Sequence, residues 1–253
     1  MAKQRGFTLF EMVIAIVVLS IIMIGIGSYI AIGVKGYTNT VDRERLQSQA
    51  RFLVARMTKE IRHAAPNSLS ISGSQGSKNR CLSFYPIVSS AVYYTDSPNG
   101  SDELNVSPFD PDNTDVWRLN TDWNVAVGFA SADQYQDNNV VMSGAEEYTT
   151  SENKGLWLLS LKDSNKITTS SPGKRLYLYK NKISYCQVGN TIERQVNDTD
   201  GIVMASDVEM FTPTVQTAGL NSNAIAFIGI EFKDPRTNET ADYNHSVQVL
   251  NVL

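Results

Sequence analysis

Residues able to support chemistry are few in this chain of 253 residues. Its two histidines, His63 and His245, cannot form a histidine-rich metal centre. Its two cysteines, Cys81 and Cys186, lie outside any CxxC pair, which excludes a zinc ribbon and a thioredoxin-type site. The GxSxG, HExxH and P-loop patterns of hydrolases, metalloproteases and nucleotide-binding enzymes do not occur in the sequence. We therefore predict a protein that is not an enzyme and uses no cofactor and no metal.

Two stretches of the chain contain closely spaced acidic residues, as calcium-binding loops do. Asp110, Asp112 and Asp115 form a small acidic cluster, and residues 197–201 have the order Asn-Asp-Thr-Asp-Gly. An EF-hand register would place Val196 at the first ligand position, where an oxygen ligand is needed. A polar turn is therefore the favoured prediction for residues 197–201.

One carboxylate stands at the start of a long apolar run. Glu11 is the only charged side chain between Arg5 and Lys35, and residues 12–34 are almost entirely aliphatic or glycine. As a helix this run would span about 35 Å, which exceeds the hydrocarbon core of about 30 Å in a bilayer. Placing a charged side chain at the centre of a membrane span costs about 2–3 kcal/mol of free energy, and less near an interface. The presence of Glu11 in this segment therefore indicates that it has a function.

The residues before the run set its orientation and leave two simpler alternatives. Lys3 and Arg5 place the N-terminus in the cytoplasm, so the chain after Lys35 is expected to be exported. A secretory signal peptide would have a shorter apolar region and a small-x-small site, which residues 28–31 fit poorly. An uncleaved membrane anchor fits the length of the run. Neither alternative explains Glu11.

The segment from Arg5 to Glu11, Arg-Gly-Phe-Thr-Leu-Phe-Glu, resembles the class III leader of type IV pilins and type II secretion pseudopilins. The resemblance implies that a prepilin peptidase cleaves between Gly6 and Phe7 and methylates the new amine of Phe7. It also implies that Glu11, as the fifth residue of the mature chain, acts in filament assembly. Residues 1–6 are then a cleaved leader, and residues 7–34 are the transmembrane half of a long helix.

The charges of this segment are consistent with that role. Cleavage creates a positive amine on Phe7, and the Glu11 carboxylate can pair with such an amine on a neighbouring subunit. A buried charge is tolerated when it is paired and costly when its partner is removed, so the pair would fix the register of docking. The simpler alternative, that Glu11 only reaches the lipid headgroups, explains the charge but not Gly6 and Phe7.

Residues 35–65 are predicted to continue the helix as an amphipathic half. Apolar residues recur there at steps of mostly three and four, and charged residues fill the opposite face. Pro66 is expected to stop the helix, and His63 is expected to be a surface or capping residue near its end. Gly25 and Gly27 offer a place for local unwinding of the membrane half, at about 1 kcal/mol each relative to alanine.

Residues 66–253 are predicted to form a β-rich exported body. Strand patterns occur at 81–85, 91–95, 155–161, 175–179, 182–187, 202–210, 224–232 and 246–252, with a hairpin turning at Asn181 and a loop-rich segment over 96–150. The expected fold class is α+β, with the long N-terminal helix packed on one or two antiparallel sheets.

Cys81 and Cys186 both lie in predicted strands of a body expected in an oxidising compartment, which favours a disulfide between them. Two buried free thiols are the alternative, because cysteine packs well as a small apolar residue.

The large irregular body favours a minor subunit over a major one. Residues 51–68, with Cys-Leu-Ser-Phe at 81–84 and Ser-Tyr-Cys at 184–186, resemble a minor pilin of the mannose-sensitive haemagglutinin (MSHA) pilus system. The resemblance implies a structural subunit in a pilus tip complex and in adhesion. The body would lie in the periplasm on a single-pass inner-membrane anchor and later in the surface pilus. The implied partners are prepilin peptidase, other major and minor pilins, the inner-membrane assembly platform, membrane lipid before assembly, and a surface glycan as a candidate ligand.

Two alternatives remain open. One is a minor pseudopilin of a type II secretion system, and the other is a membrane-anchored protein that binds glycans or DNA. The net charge of −4 argues against nucleic acid as the main partner, because the chain has no basic surplus to neutralise phosphates.

Overall fold

A computed structural model describes residues 8–94, 98–109, 117, 123–138, 140–148, 155–162, 166–218 and 223–250. The chain divides into two compact units, residues 1–48 and residues 49–253. One helix, α1 (Leu9–Arg62), contributes to both units, and each unit is described by itself.

The first unit is built on the apolar part of α1. The helix is continuous through Gly25 and Gly27, so the local unwinding allowed for by the sequence does not occur. A continuous helix satisfies its backbone N–H and C=O groups internally, which a hydrocarbon environment demands. The large apolar side chains from Leu9 to Val34 are exposed in the isolated chain, including Ile24 at 71%.

The second unit contains the end of α1 and the strands of the body. The strands, in chain order, are β1 (Ser70–Ser72), β2 (Cys81–Phe84), β3 (Ile87–Tyr93), β4 (Glu103–Pro108), β5 (Asn124–Val127), β6 (Met142–Glu147), β7 (Trp157–Leu161), β8 (Arg175–Tyr179), β9 (Ile183–Val188), β10 (Thr191–Val196), β11 (Ile202–Ala205), β12 (Val208–Phe211), β13 (Thr214–Gln216), β14 (Ile225–Lys233) and β15 (Thr240–Gln248). A short helix, α2 (Asp133–Asp137), lies between β5 and β6.

The strands form three antiparallel sheets. The first sheet has the order β1-β2-β9-β10-β11, and in the second sheet β14 pairs with β12 and β13 on one side and with β15 on the other. The buried Gln187 side chain links these two sheets, since it donates to Glu209 O (3.1 Å) and accepts from Phe211 N–H (2.9 Å).

The third sheet has the order β5-β8-β3-β4-β7-β6 and closes on itself. A bridge between Asn124 and Val141, with a hydrogen bond from Met142 N–H to Trp123 O (2.8 Å), joins its two end strands. Trp157 and the aliphatic side chains of these strands fill the interior. All six strands fall between β2 and β9, so this small barrel is an insertion into the first sheet.

The end of α1 packs against the body through one face. Ala50, Leu53, Met57 and Ile61, at steps of three and four, are fully buried. This confirms the α+β fold class, with a long helix packed on antiparallel sheets. The helix ends at Arg62, slightly before the predicted boundary at residue 65, and the following residues bridge to the chain near Pro86.

The predicted hairpin at Asn181 is wrong. The strand before this residue, β8, pairs with β3 and β5, whereas the strand after it, β9, pairs with β2 and β10. The tight hairpin is instead β9–β10, where Val188 is paired with Thr191 across a two-residue loop. Gly189 has a φ of 61° there, a conformation that suits glycine at the first position of a hairpin turn.

Two further strand predictions need correction. The predicted strand 202–210 is broken into β11 and β12, because Asp207 has a φ of 60° where the chain leaves the first sheet for the second. The segment 96–150, predicted to be loop-rich, contains β4, β5, β6 and α2. Its strands are short and separated by polar turns, which weakens their signal in the sequence.

Candidate assembly site

The first turn of α1 is closed by a reciprocal pair of contacts between Thr8 and Glu11. The Glu11 carboxylate accepts hydrogen bonds from Thr8 N–H and from the Thr8 hydroxyl, both at 3.1 Å. In return, Glu11 N–H donates to Thr8 Oγ1 (3.3 Å). This is a capping box, in which the side chains of the first and fourth residues each satisfy an N–H group that the helix leaves free.

The capping box gives Glu11 a local role that the sequence-based prediction missed. The pattern Thr-x-x-Glu directly before an apolar run was the signal for it. The negative charge also lies at the positive end of the helix dipole, which is favourable in the separate subunit. A role for Glu11 in assembly therefore requires the carboxylate to gain a partner beyond Thr8.

Residues 12–34 of α1 present apolar side chains on all sides of the helix. The most apolar stretch of α1 is not buried in the isolated chain. By length and composition, α1 could cross a membrane. A surface of this kind needs lipid or other apolar helices around it. The segment fits a single membrane anchor near the N-terminus.

A polar clamp holds the end of α1 on the first sheet. Glu60 is largely buried, with 14% of its side chain exposed, and accepts hydrogen bonds from Arg194 Nε at 3.1 and 3.0 Å. It also accepts one from the Tyr185 hydroxyl (3.0 Å) and pairs with Arg56 Nε (2.7 Å). Two cations and a phenol thus neutralise and solvate one carboxylate, the condition under which a buried charge is tolerated.

The electrostatics of this clamp keep its hydrogen bonds in place at neutral pH. Burial raises the pKa of the Tyr185 phenol, and the Glu60 carboxylate raises it further, so the phenol remains a donor. The same carboxylate raises the pKa of Arg56. Gln49 Oε1 also accepts from Ser206 N–H (2.9 Å), a second polar contact between the helix and the body.

Cys81 and Cys186 are brought together at the end of the β2–β9 ladder that lies farther from the inserted barrel. They are directly opposite each other in the β2–β9 ladder, with Cα atoms 4.0 Å apart, and the structure joins them by a disulfide. Because the barrel lies between these two strands in the sequence, the bridge closes the loop that contains it. Formation of this bond in the exported protein remains a prediction.

A cluster of aromatic side chains lies where the barrel meets the end of α1. Tyr135 packs against Tyr85, Phe129 and Tyr179, with ring centroids 5.5, 4.9 and 5.1 Å away. Its hydroxyl donates to Pro66 O (2.6 Å), and burial raises its pKa well above the ordinary value. The cluster anchors the barrel to the segment that follows the helix.

The polar stretches considered for calcium show no ligand set in the described residues. Asn197 and Asp198 have φ angles of 53° and 58°, and Asn197 Oδ1 accepts from Lys182 N–H (2.8 Å), as expected for a polar turn. No group of three or more His, Cys, Asp or Glu side chains suitable for a metal occurs in the part of the chain that the structure describes. The acidic cluster at 110, 112 and 115 lies outside that part.

The predicted site residues that the structure describes belong to two different units. Glu11 lies in the first turn of α1, and the two cysteines form a bridge in the body. Gly6 and Phe7, the predicted processing residues, lie outside the described residues.

Comparison with known proteins identifies the N-terminal segment. Residues 1–27 match the family model of the prokaryotic N-terminal methylation motif. No curated protein and no solved structure gives a significant match to the chain. The match spans the basic leader, Gly6, Phe7, Glu11 and most of the apolar run. It supports a type IV pilin-like or pseudopilin-like protein whose leader is processed by a prepilin peptidase and which assembles with other pilins.

Proposed function

We propose that this protein is a minor pilin of an MSHA-type type IV pilus, a non-enzymatic structural subunit of its assembly or tip complex with a part in adhesion. The observation that carries the proposal is the methylation motif over residues 1–27, together with an apolar stretch of α1, residues 12–34, whose side chains are all exposed in the separate chain. A membrane accommodates that helix before assembly, and a bundle of like helices accommodates it afterwards.

Processing begins at the leader. The peptidase cleaves between Gly6 and Phe7, which removes residues 1–6 and leaves a methylated amine on Phe7. The mature chain keeps residues 7–34 in the inner membrane and residues 66–253 in the periplasm. The inner-membrane assembly platform then moves the subunit from lipid into the pilus, which carries it to the cell surface.

The form of the body supports a minor subunit. A major subunit must repeat around the whole filament, whereas this body carries a six-stranded barrel inserted between β2 and β9. The residues 51–68, 81–84 and 184–186 are similar to the MSHA minor pilin MshO. They form the end of α1 and the disulfide-bearing strands at the base of that insertion.

A minor pseudopilin of type II secretion is the second candidate function, because it would have the same leader and the same helix. A membrane-anchored protein that binds a surface glycan or DNA is the third. This third function would explain the apolar helix, but it would not explain the presence of Gly6 and Phe7 before it.

Fractionation of filaments sheared from cells distinguishes these functions. We expect the protein in the sheared fraction of wild-type cells and of cells lacking the type II secretion ATPase. We expect its loss from that fraction in cells lacking the prepilin peptidase or the MSHA assembly ATPase. Loss only in the secretion mutant would instead identify a pseudopilin, and retention in the membrane of every strain would identify a solitary anchored protein.

A further inference from the structure

The second sheet ends in a strand whose outer edge is unpaired. β15 pairs with β14 along its whole length on one side. Just beyond it, Val249 N–H donates to Ala224 O (2.9 Å), whereas Leu250 N–H donates to Arg62 O (3.2 Å). In an antiparallel strand, the backbone N–H and C=O groups of successive residues point alternately towards and away from the neighbouring strand. These two bonds therefore show which residues of β15 direct their backbone groups to β14 and which direct them outwards.

The outward-pointing backbone groups of β15 belong to its alternate residues. These are Thr240, Asp242, Asn244, Ser246 and Gln248, and no hydrogen bond joins their backbone groups to another described residue. The strand has neither the proline nor the lysine that commonly protects a sheet edge. It is also longer than the usual strand of about five or six residues. Such an edge is a template for pairing with a further strand.

A basic groove lies between α1 and His245 of β15. It has a volume of about 560 Å³, and its polar lining consists of Arg51, Thr58, Lys59, Arg62, His63 and His245. The groove therefore holds both histidines of the chain and three permanent cations, and no carboxylate belongs to its lining in the described part of the chain.

The cations of the groove have no acidic partner among the described residues. Arg51, Lys59 and Arg62 form no ion pair with any described residue, in contrast to Arg56 on the same helix, which pairs with Glu60. The hydroxyl oxygen of Thr58 is buried and has no hydrogen-bond partner among the described residues. In a protein with a net charge of −4, this is a local positive site with an unsatisfied polar group.

We propose that β15 and the basic groove bind an extended acidic segment of another filament subunit, which adds as a strand along the outer edge of β15. Alternate side chains of an added strand point to one face of the sheet, and carboxylates at those positions reach the groove. The inference rests on the proposed function and deepens it, because it names the chemistry of the partner subunit.

Two other occupants fit the surface less well. A second copy of this chain, paired β15 to β15, would bring two basic grooves together, and like charges repel. A nucleic acid would match the charge of the groove, but its backbone cannot alternately donate and accept hydrogen bonds along the edge of β15 as a polypeptide strand does.

The inference can be tested on the full-length chain in lipid nanodiscs with a synthetic peptide. The probe is a fluorescent peptide as long as β15 in which glutamate alternates with threonine and valine, and binding is measured by fluorescence anisotropy. A peptide with lysine in place of glutamate tests the charge. A peptide methylated on the backbone nitrogens that would face β15 tests strand pairing, and a single-stranded oligothymidylate tests nucleic acid.

We expect saturable binding of the acidic peptide, with protection from hydrogen exchange at the amides of Asn244, Ser246 and Gln248. Backbone methylation should weaken binding by about tenfold or more. Ser246→Pro should do the same, because it removes an outward N–H group without removing a bond to β14. Reversal of charge at Lys59 and Arg62 should also weaken binding by about tenfold.

Two matched variants control for indirect effects. Ser246→Ala keeps the outward N–H group, and Lys166→Glu reverses an exposed charge in a loop away from the groove. Both should bind the acidic peptide as the wild type does.

Several results would overturn the inference. They are absence of saturable binding, equal binding of the methylated peptide, tighter binding of the oligothymidylate, and concentration-dependent self-association that Ser246→Pro abolishes. The assay does not depend on filament entry. Peptide binding by a chain that never enters a pilus would therefore contradict the proposed function and leave this inference standing.

Discussion

Glu11→Gln should leave the protein processed and anchored but lower its pilus-to-membrane ratio by about tenfold or more. On the proposed function, the first turn of α1 moves from the lipid boundary into a bundle of apolar helices, where we expect the amine of Phe7 to require a carboxylate. Loss of the charge leaves that amine unpaired at a cost of a few kcal/mol. The ratio is measured by quantifying the protein in sheared filaments and in the membrane.

The capping box makes this experiment sharper than a charge deletion alone. Glutamine can replace glutamate in a capping box, so Glu11→Gln removes the charge while preserving the contacts with Thr8. Glu11→Ala removes both and should be as defective. Thr8→Ala removes the cap, worth about 0.5–2 kcal/mol, and keeps the charge, so it should enter pili nearly as well as the wild type. Wild-type entry of Glu11→Gln together with failure of Thr8→Ala would show that helix capping, not charge pairing, is the role of Glu11.

Replacement of both cysteines, Cys81→Ala with Cys186→Ala, should lower the free energy of unfolding of the body by about 3–5 kcal/mol. The bridge joins residues 105 apart in the sequence, and cross-linking so long a loop restricts the unfolded chain strongly. Urea unfolding of the purified chain, followed by tryptophan fluorescence, measures the change in the midpoint.

The wild-type protein treated with a reductant is the matched control for the disulfide and should unfold at nearly the same urea concentration as the double variant. Peptide mapping without reduction should find Cys81 linked to Cys186 in protein taken from the periplasm. Two free thiols in that protein, or an unchanged midpoint in the double variant, would contradict the prediction.

The helix was predictable because its signals are local and strong. An apolar run after Glu11 and a stripe of buried residues at helical spacing require no knowledge of distant contacts. The end of the helix near Pro66 follows from the missing N–H group of proline. The capping box was equally predictable from Thr8 and Glu11. The charge of Glu11 instead favoured the prediction of a partner in another subunit.

The body was less predictable because its pairing depends on residues far apart in the chain. The strands on either side of Asn181 are strong, yet β8 belongs to the barrel and β9 to the first sheet. No feature of the sequence around Asn181 indicates that β8 and β9 belong to different sheets. Gly189, one strand later, indicates the hairpin turn that does form. The clamp at Glu60 likewise joins a helix to Tyr185 and Arg194, and a charged residue on a helix face gives no sign of such distant partners in the sequence.

Mass spectrometry of the mature N-terminus tests the central claim, that the chain is made as a prepilin, most directly. The protein should be purified from the membrane and from sheared filaments of its native host and digested without blocking its N-terminus. The account predicts a mature chain that begins at N-methylated Phe7, and a chain that begins at Met1 in cells lacking the prepilin peptidase. A mature chain that retains Met1 in wild-type cells, or one that begins near Ala31, would contradict it.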